Sequence, residues 1–277
     1  TGGKMGFVGD EHWVERPDGT RILTRVAGDG PKTVVFAHGY GVDMREWDEV
    51  AARLPDERKI AFDLRGHGGS TIGRDGVDPD AAAGDYRAVL EAHDVRDAVL
   101  VGHSTGGFLG IRFLLEHPDV VRERLRGCLL MATFAGDVSR QNLQNQVQIP
   151  LIQSGLLVAM VRFGPIGRAF VRSLTGDHFE SAWADEFLDA FLANDHRALV
   201  PLLRALVRQS DYPRLGQIEL PCRIVVGDKD HTTPSFHADD LHSGIAGSTL
   251  RRLPGMGHML NWEAPDVLVE EIRALLE

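Results

Sequence analysis

The chain has 277 residues, 43% of them hydrophobic and 25% charged, values ordinary for a folded globular protein and unlike those of a disordered or collagen-like chain. Thirty Lys and Arg against forty Asp and Glu leave a formal charge of −10, which repels polyanions, so no nucleic-acid partner is expected. Two cysteines, Cys128 and Cys222, are too few for a disulfide framework and lack C-x-x-C spacing, so both read as buried, reduced thiols.

At the start, Thr1 to Lys4 precede Met5 and read as an added leader without the apolar stretch of a secretory signal; cytoplasmic residence is the expectation. Short runs rich in Val, Ile and Leu then follow at 12–14, 21–24, 33–37, 59–62, 98–101, 127–131, 223–226 and 249–252. The first two flank a Pro17-Asp18-Gly19 turn, which predicts an antiparallel hairpin. The others are separated by helix-length segments, with apolar periodicity clearest over 46–53, 81–93, 106–116 and 267–276. Strands alternating with helices predict an α/β protein, an eight-stranded, mostly parallel sheet flanked by helices.

The strand rhythm stops between Gly136 and about Ser210. Trp183, Phe187, Leu188, Phe191 and Leu192 share one helical face, and Leu199, Leu202, Leu203 and Leu206 share another. This predicts a helical cap, 137–210, inserted between two parts of one core, 1–136 and 211–277. The insertion holds seven Arg and seven acids, so the whole net charge lies on the core. Its longest uncharged stretch, 141–161, is broken by Gln, Asn and Pro150 and is too short an apolar run for an integral membrane helix.

Gly102-His-Ser104-Thr-Gly106 follows the fifth predicted strand and opens a helix. Small residues around a Ser at such a turn allow a strained backbone that lifts the hydroxyl above the sheet, which marks Ser104 as a candidate nucleophile. A serine hydroxyl needs a base in reach, oriented by a carboxylate. Asp230 lies in the loop after the 223–226 run, and His258 follows Gly255-Met-Gly257 after the 249–252 run. The order Ser, Asp, His is the one expected of a parallel hydrolase sheet. Asp228 is an alternative acid, although strand alternation directs it elsewhere, and Asp137 is a weaker spare.

With those motifs in place, the chain resembles the α/β-hydrolase superfamily, in the lidded branch of small carboxylesterases and lipases. The resemblance spans nearly the whole chain: His38-Gly-Tyr-Gly41 is similar to the oxyanion loop, Asp63-Leu-Arg-Gly-His-Gly-Gly-Ser70 to the loop after the next strand, and Gly102 to Gly107 to the nucleophile elbow. Gly227-Asp-Lys-Asp230 with Pro234, and Gly257-His258, are similar to its acid and base loops. The resemblance implies a hairpin at one sheet edge and a helical cap after strand six. It also implies that Ser104 attacks, His258 carries the proton, Asp230 holds the imidazole, and the backbone N–H groups of Tyr40 and Thr105 form the oxyanion hole. Relatives that dehalogenate haloalkanes or open epoxides carry Asp at the elbow, so Ser104 sets those chemistries aside.

The expected function is a serine hydrolase cleaving a carboxylic ester of a small to medium apolar molecule, with no cofactor. Lactone, thioester or carbon–carbon cleavage, perhydrolysis, and a slow-turnover ligand receptor are the alternatives on the same residues. Phe134 and Trp262 adjoin motif loops and are candidate pocket residues, while His38, His67 and His103 read as structural. His231, His237, Asp239, Asp240 and His242 match no known metal spacing and read as part of a solvated helix, so no metal is expected.

Overall fold

The computed structural model describes residues 7–277; Thr1 to Lys4, expected to be a leader, lie outside them. Among the described residues one eight-stranded sheet runs through the protein, formed by β1 (Asp10–Glu15), β2 (Arg21–Ala27), β3 (Thr33–Ala37), β4 (Arg58–Phe62), β5 (Ala98–His103), β6 (Leu125–Met131), β7 (Cys222–Gly227) and β8 (Thr249–Leu253). Their order across the sheet is β1-β2-β4-β3-β5-β6-β7-β8. Only the β1–β2 and β2–β4 pairs are antiparallel, and every pair from β4 through to β8 is parallel.

The central strands are apolar throughout because helices cover both faces. Alternation sends Val34, Phe36, Val99, Val101, Leu129 and Val225 to one face, under α1 (Asp48–Ala51) and the later α11 (Leu260–Glu263) and α12 (Pro265–Leu276). It sends Val35, Ala37, Leu100, Cys128, Leu130 and Ile224 to the other, under α2 (Pro79–Ala92) and α3 (Thr105–Glu116). A short α4 (Pro118–Arg124) leads into β6. Cys128 and Cys222 are free, buried, and directly opposed across β6 and β7.

Between β6 and β7 the chain is helical: α5 (Leu143–Gln153), α6 (Leu156–Val161), α7 (Gly164–Arg172), α8 (Ser181–Ala193) and α9 (Val200–Arg208). Gly136 and Ser210 pair in an isolated antiparallel bridge where this segment leaves and rejoins the sheet. The remaining helices are α10 (Phe236–Gly244), α11 (Leu260–Glu263) and α12 (Pro265–Leu276).

Two sequence expectations change. The 46–53 helix is a 3-10 turn, Met44–Trp47, followed by the four-residue α1. The Asp43 carboxylate accepts from Arg45 N–H and starts a tight turn, and Pro55 disfavours helical backbone just before it. The segment after Pro234 is helical but not simply solvated: His237, Ala238 and Leu241 of α10 are buried, and His237 Nδ1 lies 2.5 Å from Tyr212 Oη.

The order of strands also locates a crevice. After β3 the chain adds β4 on one flank, then returns to add β5 on the other, so successive connections leave the carboxyl ends of β3 and β5 in opposite directions. Ligands of open parallel sheets lie at such reversals. The residues that follow β3 and β5 are His38-Gly-Tyr40 and Ser104.

Candidate active site

Ser104 joins β5 to α3 with φ 50° and ψ −117°, left-handed backbone that a residue with a side chain rarely adopts. Close packing of the turn enforces it. A Cβ on Gly106 would lie 2.4 Å from the His38 carbonyl oxygen, and one on Gly102 would lie 2.7 Å from Gly107 Cα, so neither position tolerates a side chain. Ser104 N–H donates to Met131 O (3.1 Å), and Ser104 O accepts from Thr133 Oγ1 (2.6 Å). The elbow is therefore pinned to the end of β6 and to the turn just beyond it.

The loop after β7 buries Asp230, which is 3% exposed. Its Oδ1 accepts from the N–H groups of Thr232 and Thr233, both at 2.8 Å. Its Oδ2 accepts from Thr233 Oγ1 (2.7 Å) and from His258 Nδ1 (2.8 Å). Burial pushes this carboxyl up, but the adjacent imidazole and the hydrogen bonds from His258 and Thr233 outweigh it and leave the group below its ordinary value. An ionised Asp230 fixes the tautomer of His258: Nδ1 carries the proton, and Nε2 is left as an acceptor. Ser104 and His258 line the same cavity. Among the described residues no hydrogen bond joins Ser104 Oγ to Nε2, a contact that commonly tightens only with substrate in place.

The turn after β3 supplies backbone donors. Gly39 N–H is taken by Glu46 Oε2 at 2.9 Å, whereas the N–H groups of Tyr40 and Thr105 have no partner among the described residues. Tyr40 and Thr105 also line the cavity with Ser104. The Tyr40 ring leaves this loop toward the helical segment, where Oη meets His196 Nδ1 at 3.0 Å. His196 Nε2 donates to Phe191 O (2.7 Å), so its Nδ1 accepts from the phenol. Burial pushes that phenol well above its ordinary pKa and keeps it a neutral donor.

The cavity encloses about 100 Å³, room for several water-sized groups. Apart from the groups above, its walls are mainly apolar, with Val138, Ile149, Ile152, Phe170, Leu174, Phe187, Phe191, Leu203 and Leu206 from the helical segment or its start. Glu46, His103, Asn145 and Gln148 of α5, and Thr232 are the polar exceptions. Phe134 lines it and stacks on Phe108, with ring centroids 5.3 Å apart. Trp262 does not line it. Met259 lines it instead, while the indole of Trp262 stacks on Trp183 at 6.1 Å and borders a separate small recess.

The other candidates sit in supporting positions. His38 Nδ1 donates to Gly39 O (2.7 Å) and its Nε2 accepts from Leu64 N–H (3.0 Å), tying the loop after β3 to the one after β4. His67 is fully buried, and burial with the nearby His38 pushes its pKa down to about 3, so it is a neutral ring. Asp228 is exposed and its Oδ1 accepts from Gly255 N–H at 2.7 Å, outside the cavity. Asp137 accepts from Ser139 Oγ at 2.8 Å. Thr233, Thr133, Glu46 and His196 are contributors that no sequence motif marks.

Residues 34–271 match the model of the alpha/beta hydrolase family. A non-heme chloroperoxidase of Streptomyces lividans is 28% identical, over 95% of this chain and 99% of the relative. The karrikin insensitive 2 receptor CA of Petunia hybrida is 25% identical, over 96% of this chain and 95% of the relative. Among solved structures, an esterase from Rhodococcus sp. ECU1013 superposes with a TM-score of 0.78 at 25% identity, covering 96% of this chain and 98% of that one.

Proposed function

The chain belongs to the alpha/beta hydrolase family, and from that premise we propose that it is a serine hydrolase that cleaves a carboxylic ester of a small to medium apolar molecule through an acyl-enzyme. The observation that carries this reading is a single cavity that holds Ser104 on its strained turn together with His258, whose Nδ1 lies 2.8 Å from the buried Asp230 carboxylate. His258 Nε2 takes the Ser104 proton as Oγ attacks the ester carbonyl, and returns it to the departing alcohol. Water then attacks the acyl-enzyme with the same base, giving the acid and free Ser104. The N–H groups of Tyr40 and Thr105 receive the oxyanion in both steps, each such donor lowering the barrier by about 2.7–4 kcal/mol.

The helices of 137–210 act in this reading as a cap. Their apolar side chains supply most of the cavity wall, so they exclude water and select hydrophobic acyl or alcohol groups. The likeness to a chloroperoxidase favours one second reading, in which hydrogen peroxide instead of water attacks the acyl-enzyme and releases a peroxy acid. That reading uses the same residues up to the acyl-enzyme.

A fluorophosphonate probe tests the nucleophile. Wild type is expected to label strongly and Ser104→Ala not at all; absence of label on both, or equal label on both, overturns the proposal. A series of p-nitrophenyl esters of increasing acyl length, assayed with and without peroxide, then reads the depth of the cavity and separates hydrolysis from perhydrolysis.

A further inference from the structure

We propose that Glu46 and His103 are positioning residues that bind the three loops of the candidate site into one rigid unit. The inference rests on the assignment of Ser104 as nucleophile. Glu46 lies in the 3-10 turn after β3 with a side chain 1% exposed, and that of His103, at the end of β5, is 2% exposed. Such burial requires that every polar atom be satisfied, and here each partner is a loop of the site. Glu46 Oε2 accepts from Gly39 N–H at 2.9 Å, directly before Tyr40. Glu46 Oε1 lies 2.5 Å from His103 Nδ1, directly before Ser104. His103 Nε2 then donates to the carbonyl oxygen of His258 itself, at 3.1 Å.

The chemistry of the ring atoms makes this a directed chain. A carbonyl can only accept, so His103 Nε2 carries a proton, and Nδ1 is left to pair with the carboxyl of Glu46. The Glu46 carbonyl accepts from Asn261 Nδ2 at 2.9 Å, which anchors the turn to α11, immediately beyond the base loop. The His103 ring also lies against the His258 ring, with centroids 4.7 Å apart, and takes Trp47 on its other contact at 6.5 Å. A shift of Glu46 therefore moves the residue before the oxyanion donor, the residue before the nucleophile and the backbone of the base together. Occupying Gly39 N–H also removes it as a competitor to the Tyr40 N–H next to it.

A merely structural carboxylate would change stability, or binding at the cavity wall, and not the chemical step. Glu46→Ala removes both carboxylate contacts. Gln in its place can accept from Gly39 N–H and donate to Nδ1 of a neutral His103, so Glu46→Gln is a rescue variant. His103→Asn keeps a partner for Glu46 near the Nδ1 position and cuts the link to His258 O. With p-nitrophenyl butyrate, kcat of Glu46→Ala is expected to fall about 10- to 100-fold at nearly constant KM, since misplacement by an ångström costs up to that factor. Glu46→Gln should recover most of the loss, and His103→Asn should lower kcat without raising KM.

An unchanged kcat in Glu46→Ala, a rise in KM alone, or equal losses in the Ala and Gln variants would overturn the proposal. Should Glu46→Ala fail to fold, Glu46→Gln and His103→Asn decide, and full activity in His103→Asn refutes the coupling. Fluorophosphonate separates the two levels of inference. Folded Glu46→Ala should still label, only more slowly, whereas persistent labelling of Ser104→Ala removes the nucleophile assignment whatever Glu46 does.

Discussion

Asp230 collects four donors on two oxygens, and three of them come from residues other than His258. The backbone of Thr232 and Thr233 and the Thr233 hydroxyl hold the carboxylate in place independently of His258, so the imidazole is oriented by a fixed acceptor. Asp230→Asn keeps the shape but can present an amide N–H to Nδ1, which favours the wrong tautomer of His258. On the proposed mechanism kcat should fall by on the order of 10³–10⁴ in steady-state ester hydrolysis; a loss under tenfold would assign the orienting role elsewhere. The same carboxyl reports on stability. Its value is lowered in the folded state, so its contribution is present above the ordinary carboxylate range and is lost as pH falls through the lowered value. The difference in urea midpoint between wild type and Asp230→Asn should therefore shrink from pH 6 to pH 3, and a constant difference would contradict the lowered value.

At the scale of elements, the strands were legible because buried parallel strands must be continuously apolar, and runs such as 33–37 and 98–101 have no competing helical period. Their ends were not: β2 continues through Arg25, Val26 and Ala27, where pairing to β1 and β4 and not side-chain character sustains the ladder. The elbow was legible for a similar reason, since its glycines answer to backbone contacts that any sequence with this turn must respect. Gly106→Ala would force a Cβ to 2.4 Å from the His38 carbonyl oxygen, while Gly110→Ala, one turn along α3, meets only Tyr86 and Leu100 at 3.6 and 3.7 Å. Gly106→Ala should cost about 1–3 kcal/mol in chemical denaturation and most of the esterase activity. Gly110→Ala should be neutral or stabilising by up to about 1 kcal/mol, and equal effects at the two sites would refute the close-packing account. Glu46 and Thr233 were not legible. Glu46 acts through two carboxylate oxygens on residues brought near by the fold, and Thr233 through an N–H and a hydroxyl whose directions the loop sets, and no spacing records either. Trp262 was misplaced for the converse reason: proximity in sequence to His258 says nothing about which side of a new helical turn an indole takes.

For the molecule as a whole, the question is whether 137–210 behaves as a separate unit. Its apolar residues, among them Val138, Ile149, Leu174, Phe191 and Leu206, belong to the same buried cluster as Val35, Leu100 and Leu130 of the sheet, so no second core is enclosed. Its backbone and amides also hold the loops that carry Asp230 and His258 and the loops after β3 and β4. Asn145 Nδ2 donates to Thr232 O (2.8 Å), Leu174 O accepts from His258 N–H (2.7 Å), and Asn194 links Gly41 O (3.0 Å) to Gly68 N–H (2.9 Å). The segment carries no net charge, so the −10 of the chain rests on the sheet and its flanking helices and supplies no repulsion between the parts. Cooperative unfolding follows, because loosening the helices opens the shared apolar cluster and frees those loops at once. Calorimetry should show one transition with equal calorimetric and van't Hoff enthalpies, and replacing 137–210 by a short Gly-Ser linker should leave no cooperatively folded protein. Two resolved transitions in the intact chain, or a folded protein after the replacement, would instead make the helices an independent lid on a self-sufficient core.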